Sequence, residues 1–124
     1  PPATVPEEIL DRISVKDGTR IHIIPIKEIF YLQACGDYVT LFTTSGQHVK
    51  EQTMKYFERS LPSPEFVRIH RSYIVNTEQI LRVELFGKET YQVRLRMEPI
   101  FVPVALAISY SKNVFPFSSP IKGT

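Results

Sequence analysis

The sequence predicts a mainly β domain, and three observations carry that prediction. Short runs that alternate apolar and polar residues recur along most of the chain, the period expected of half-buried strands. Turn-forming residues such as Asp17-Gly18, Ser45-Gly46 and Gly87-Lys88 separate these runs. Helical spacing is clear in one stretch, Thr53 to Leu61.

The elements follow in order. Pro1-Pro2-Ala3-Thr4-Val5-Pro6 reads as an extended linker, because proline fixes φ and removes donors. A chain starting on Pro-Pro without an initiator Met is expected to be a fragment, with residues 1–11 joining it to a missing upstream domain. Ile13-Ser14-Val15 alternates as a short strand, Lys16-Asp17-Gly18-Thr19 signals a hairpin turn, and Arg20 to Ile24 returns with Ile21 and Ile23 on one face. Pro25-Ile26-Lys27-Glu28-Ile29 predicts a single helical turn with proline at its start. Phe30 to Gln33 is a strand, Ala34-Cys35-Gly36-Asp37 a loop, Tyr38 to Thr43 the next strand, and Gln47 to Lys50 its partner. In the helix, Met54, Phe57 and Leu61 share an apolar face; Thr53 caps its start and Pro62-Ser63-Pro64 ends it. Ile80 to Phe86 and Tyr91 to Met97 form a hairpin, Glu98-Pro99 breaks the chain, and Ile100 to Val104 is a last strand. Ala105 to Phe115 is expected to be helical, and residues 116–124 to form a flexible tail.

Composition narrows the function classes. A chain of 124 residues with 43% hydrophobic and 11% aromatic content builds one globular core. No apolar run approaches the roughly 20 residues that span a bilayer, and no secretory leader is visible. Cys35 is the single cysteine, which excludes an internal disulfide and a cysteine zinc site and makes reducing cytoplasm the expected compartment. His22 and His48 lack a second ligand at metal spacing, so no metal and no cofactor is expected. An enzyme is not expected either: there is no glycine-rich phosphate loop, spaced carboxylate pair or Ser-His-Asp arrangement.

Net charge is +2, a mild bias whose distribution says more. Between Phe66 and Arg96 six Lys/Arg residues stand against three acids, whereas Glu7, Glu8 and Asp11 cluster at the start. The second half is therefore the anion-facing half.

The most informative stretch is Phe66-Val67-Arg68-Ile69-His70-Arg71-Ser72-Tyr73-Ile74-Val75-Asn76. Strand alternation sends Val67 and Ile69 one way and Arg68 and His70 the other. Arg71 and Ser72 fall where the strand should end, and Tyr73, Ile74 and Val75 return to the core. A small donor-rich cluster is thus held beside a hydrophobic body, an arrangement suited to phosphates. A solvated charged face is the plain alternative. Asn76 is expected to pin a turn through its side chain, and Lys50 and Arg20 are further phosphate-contact candidates. Cys35 reads as a small thiol without a base-like partner.

Taken in order, four pieces resemble the LytTR family, the DNA-binding output domain of bacterial LytR/AlgR-type response regulators. They are Ile29-Phe30-Tyr31-Leu32-Gln33-Ala34 followed by Gly36-Asp37-Tyr38-Val39; Phe57-Glu58-Arg59-Ser60-Leu61; the Phe66–Asn76 stretch; and Val102-Pro103-Val104. The resemblance covers roughly residues 12 to 115. It implies an elongated stack of small, mostly antiparallel β-sheets with one or two short helices, whose loops enter successive major grooves on one face of DNA.

Carried over by position, the resemblance implies base or backbone contacts from Asp37 and Tyr38 in one loop. A second contact comes from Arg71, with His70 and Ser72 beside it. Arginine suits a bidentate bond to guanine, and a serine hydroxyl suits a phosphate oxygen. His70 is equally assigned to holding the Arg71 loop through the backbone. The family usually places Ser-Arg and another basic residue after Pro-Val; this chain has Val104-Ala105-Leu106-Ala107. Loss of one bidentate contact costs about 1–3 kcal/mol of discrimination. The expected partners are double-stranded DNA, a receiver domain in the full-length protein, and a second copy forming a homodimer on repeated half-sites. The alternative is a protein-interaction module on the same scaffold with weak or lost DNA binding.

Overall fold

A computed structural model describes residues 9–63, 65–96 and 99–103. Residues 1–8 of the linker expected over 1–11, the C-terminal helix and tail, and the Val104–Ala107 departure lie outside the described residues, while Leu10 and Asp11 are hydrogen-bonded to Ser60 and Ile26 of the domain.

Among the described residues, ten strands and one α-helix alternate with short turns. β1 (Arg12–Asp17) and β2 (Arg20–Pro25) form a hairpin closed at Gly18, whose φ of 65° is the left-handed conformation that glycine adopts without strain. A 3-10 turn, Ile26–Glu28, follows Pro25 as the proline signal predicts. β3 (Ile29–Cys35), β4 (Tyr38–Thr43) and β5 (Gly46–Glu51) form a meander. α1 (Met54–Ser60) is capped by Thr53, whose hydroxyl accepts the Tyr56 N–H at 3.0 Å. β6 (Phe66–His70) and β7 (Tyr73–Asn76) form a tight hairpin. After a 3-10 turn, Thr77–Gln79, come β8 (Ile80–Leu85), β9 (Thr90–Leu95) and β10 (Pro99–Pro103).

The described strands make three antiparallel sheets. The central one has the order β5-β4-β3-β7-β6, the second is the β1–β2 hairpin, and the third has the order β10-β9-β8. Both faces of the central sheet are covered, so consecutive residues go to different cores. Leu32, Ile74 and Phe66 pack with Ile13, Val15 and Ile24 of the hairpin and with Met54, Phe57 and Leu61 around α1. Their neighbours Tyr31, Val75 and Val67 pack with Tyr91, Val93, Leu95, Ile100 and Val102 of the third sheet. Tyr31 stacks on Phe42 there, with ring centroids 4.3 Å apart and planes 12° from parallel. The result is the stack of small sheets with one helix.

Three details differ from the sequence reading. Ala34 and Cys35 belong to β3 rather than to a loop, because the register pairs Ala34 with Val39 and Cys35 with Tyr38. Ile21 and Ile23 do share a face, but it is the outer one, and both are exposed. Alternation groups residues by face without saying which face is covered; here His22 and Ile24 point inward. Val67 and Ile69 enter one core as expected, yet a bulge separates Arg68 from His70 in the pairing with β7. Among the described residues, no helix is long and apolar enough to cross a membrane.

Candidate nucleic-acid interface

Two turns project from the same end of the central sheet. β3 and β7 are antiparallel neighbours, so the end of β3 lies beside the start of β7. The β3–β4 turn consists of Gly36 and Asp37 between the paired residues Cys35 and Tyr38. Gly36 has φ 62°, which makes so tight a turn accessible. The β6–β7 turn consists of Arg71 and Ser72 between the paired residues His70 and Tyr73. A backbone bond joins the two: the Ala34 N–H donates to the Ser72 carbonyl at 2.9 Å.

Around the second turn the backbone is held by side chains of the same segment, and the Arg71 side chain is exposed. The Ser72 N–H donates to Nδ1 of His70 at 3.0 Å, which requires an unprotonated Nδ1 and leaves the ring proton on Nε2. Burial lowers the His70 pKa below the ordinary 6.5, and the charges of Arg71 and Arg68 lower it further. The ring rests 5.5 Å from that of Tyr73, whose hydroxyl receives the Gln33 amide at 3.4 Å.

Arg68 lies behind the turn with a side chain 17% exposed. Its Nη2 donates to the Arg71 carbonyl at 2.7 Å, its Nε to the His70 carbonyl at 3.4 Å, and its Nη1 to Glu58 Oε1 of α1 at 2.9 Å. Sequence spacing did not show this use of Arg68, since Glu58 sits on another element. Its half-buried position in an alternating strand was the only local hint.

Asp37 and Tyr38 are exposed at the first turn, and Tyr38 pairs across the sheet with Glu51. A cleft beside them is lined by Ala34, Gly36, Val39 and the Glu51–Met54 segment. Glu51 and Gln52 therefore border the same sheet end, although nothing in their local sequence marks them. Asp37, Tyr38, His70, Arg71 and Ser72 are thus brought together.

Lys50 is not part of that group. It lies on β5, paired with Val39 of β4, and its ammonium donates to the Ser14 carbonyl of β1 at 2.7 Å, tethering the hairpin. His22 and His48, distant in sequence, come together with ring centroids 5.2 Å apart; His22 faces Asp17 at 3.3 Å and His48 faces Ser45 at 3.2 Å. Among the described residues no cluster of three or more potential metal ligands occurs. Cys35 is exposed next to the first turn as a free thiol.

The end of the sheet thus offers a guanidinium, two hydroxyls and the carboxylates of Asp37 and Glu51, on and beside two tight turns. That mixture can hydrogen-bond base edges and phosphate oxygens together.

Comparison with known proteins identifies the fold and the family. The chain is 37% identical over 86 residues to the sensory transduction protein LytR of Staphylococcus epidermidis, covering 69% of this chain and 34% of that protein. It is 33% identical over 105 residues to the transcriptional regulatory protein YpdB of Escherichia coli K12, covering 85% of this chain and 43% of that protein. The chain therefore spans less than half the length of these relatives. A solved LytTr DNA-binding domain from Bacillus cereus superposes with a TM-score of 0.69 at 23% identity, over 82% of this chain and 90% of that one, and so shares the fold. The family model described as the LytTr DNA-binding domain matches residues 19–112, and the chain belongs to the LytTR family of DNA-binding domains.

Proposed function

We propose that this domain binds double-stranded DNA through the Gly36–Asp37 and Arg71–Ser72 turns. The observation that carries the reading is their convergence at one sheet end with the Arg71 guanidinium exposed. Asp37 and Tyr38 form one contact; Arg71 and Ser72 form the other. His70 shapes the second turn from within. Lys50 has its ammonium engaged with Ser14 and contributes at most through the field it adds.

The domain, residues 12–115, acts as the output of a two-component response regulator in the bacterial cytoplasm. The matched relatives are regulators more than twice as long as the matched region, which supports a receiver domain elsewhere in the full-length protein. Two copies on repeated half-sites supply, through multivalency, affinity that one copy lacks. The family match favours DNA over a purely protein-binding role.

The test is fluorescence anisotropy with a labelled random-sequence duplex across a salt series, comparing the wild type with Arg71→Ala. Binding should weaken steeply with salt and fall for the variant. Absence of binding at low salt, for the wild type and for a tethered dimer alike, would overturn the reading.

A further inference from the structure

Arg68 differs from every other cation in the Phe66–Asn76 stretch in where its donors go. Three of its N–H directions are taken by protein: the carbonyls of His70 and Arg71 and the carboxylate of Glu58. Glu58 belongs to α1, ten residues earlier in the chain, and α1 is fixed to the central sheet by Phe57, which is fully buried. The pairing of β6 with β7 is interrupted by the bulge between Arg68 and His70. The ladder is irregular just before it resumes at the His70–Tyr73 pair, and across that irregular stretch the guanidinium adds bonds to the carbonyls of His70 and Arg71.

We propose that Arg68, oriented by Glu58, is a positioning residue for DNA recognition: it fixes the backbone of the Arg71–Ser72 turn and thereby aims Arg71. The inference rests on the DNA-contact reading of that turn. A planar guanidinium can bond two successive carbonyls and a carboxylate at fixed angles, which an ammonium on a flexible stem cannot. The role needs positive charge held in place, and Glu58 balances that charge where the side chain is largely out of solvent. Because its charge is already compensated, Arg68 adds little to the release of counterions from DNA.

That last property separates positioning from contact. Each phosphate neutralised by a side chain adds about 0.9 to the slope of log K against log salt concentration. The experiment uses the full chain and a labelled random-sequence duplex of about two helical turns, with Arg71→Ala, Arg68→Gln, Arg68→Lys and Glu58→Gln measured beside the wild type. Arg68→Gln should bind about fivefold or more weakly, the order set by one or two misplaced hydrogen bonds, with its salt slope unchanged. Arg68→Lys should lose a similar factor although its charge is kept. Glu58→Gln, a milder change on a half-exposed residue, should show a smaller loss at the same slope and carries the test if Arg68 variants fail to fold. Amide NMR of the free protein should show the Arg71 and Ser72 signals moving in all three while those of Leu41 stay.

A slope lowered by about one unit in Arg68→Gln makes Arg68 a direct phosphate contact and overturns the proposal. Wild-type affinity in Arg68→Lys overturns it as well. If Arg71→Ala binds like the wild type, the DNA reading of the turn fails, and the functional half of this inference fails with it. The amide shifts then still report separately on whether Arg68 holds the turn.

Discussion

The Asn76 carboxamide donates to the Ile29 carbonyl at 2.9 Å across the base of the central sheet. The same side chain accepts the Glu78 N–H at 3.0 Å, so one residue that is 3% exposed closes β7 and starts the following 3-10 turn. Asn76→Ala leaves a buried carbonyl and an N–H without partners. We expect a loss of about 2–3 kcal/mol of stability, read as a lower urea midpoint at unchanged m-value. A change below about 0.5 kcal/mol would mean that water replaces both bonds.

His70 should titrate below the ordinary histidine value. Its pKa is depressed by burial first and then by Arg71 and Arg68, so the neutral ring is favoured in the folded state. The unfolded chain binds the proton more readily, and this contribution to stability is complete above the unfolded value of 6.5. It declines as pH falls below 6.5 toward the folded pKa, where the ring gains a proton and Nδ1 can no longer accept from Ser72. An NMR titration of the free protein should give a His70 midpoint under 6.5, with the Ser72 amide shifting at the same midpoint. A midpoint at or above that value contradicts the assignment.

Gly36→Ala tests the first turn. At φ 62° a Cβ meets no neighbouring atom, so the effect is conformational rather than steric crowding from elsewhere. The expected cost is about 1–2 kcal/mol. Gly36→Asn should cost less, since asparagine enters the left-handed region more readily. Thermal melts of the two variants check the order.

Lys50→Ala separates tethering from DNA contact. With its ammonium on the Ser14 carbonyl, removal should lower stability by at most about 1 kcal/mol. The salt slope for duplex binding should stay at the wild-type value, whereas a phosphate contact would lower it by about 0.9.

These sites differ in how much the sequence revealed of them, for physical reasons. Local rules located Thr53 as a cap, Pro25 as the start of a turn and Asn76 as a turn residue, because each of those roles is played within three residues; the bond from Asn76 to Ile29 is set by topology and was not legible. The Arg71–Ser72 turn was legible because alternation visibly stops there. The orientation of Ile21 and Ile23 was not, since it depends on which sheet packs behind the hairpin. Lys50 looked like a free cation until β1 was seen to lie beside β5. Arg68–Glu58 and His22–His48 are pairings between elements, and their partners are chosen by topology rather than by spacing. Residues 73–75 read as core, but two cores share them, as expected for an interior strand covered on both faces.

Under the proposed contact, the strand order also sets how much of a DNA sequence these two turns can reach. The two turns straddle β3 and β7 and so sit two strand spacings apart, roughly 10 Å. Base pairs stack at intervals of about 3.4 Å, so under that contact these two turns alone span about three of them, close to the roughly 12 Å width of one major groove. A three-letter word recurs on the order of once in 64 base pairs of random sequence, and selectivity in a genome is weighed against the number of competing sites. In the proposed arrangement of two copies on repeated half-sites, addressing one promoter among many falls to the repetition of such words along the double helix, with spacing carrying information that no single sheet end can hold.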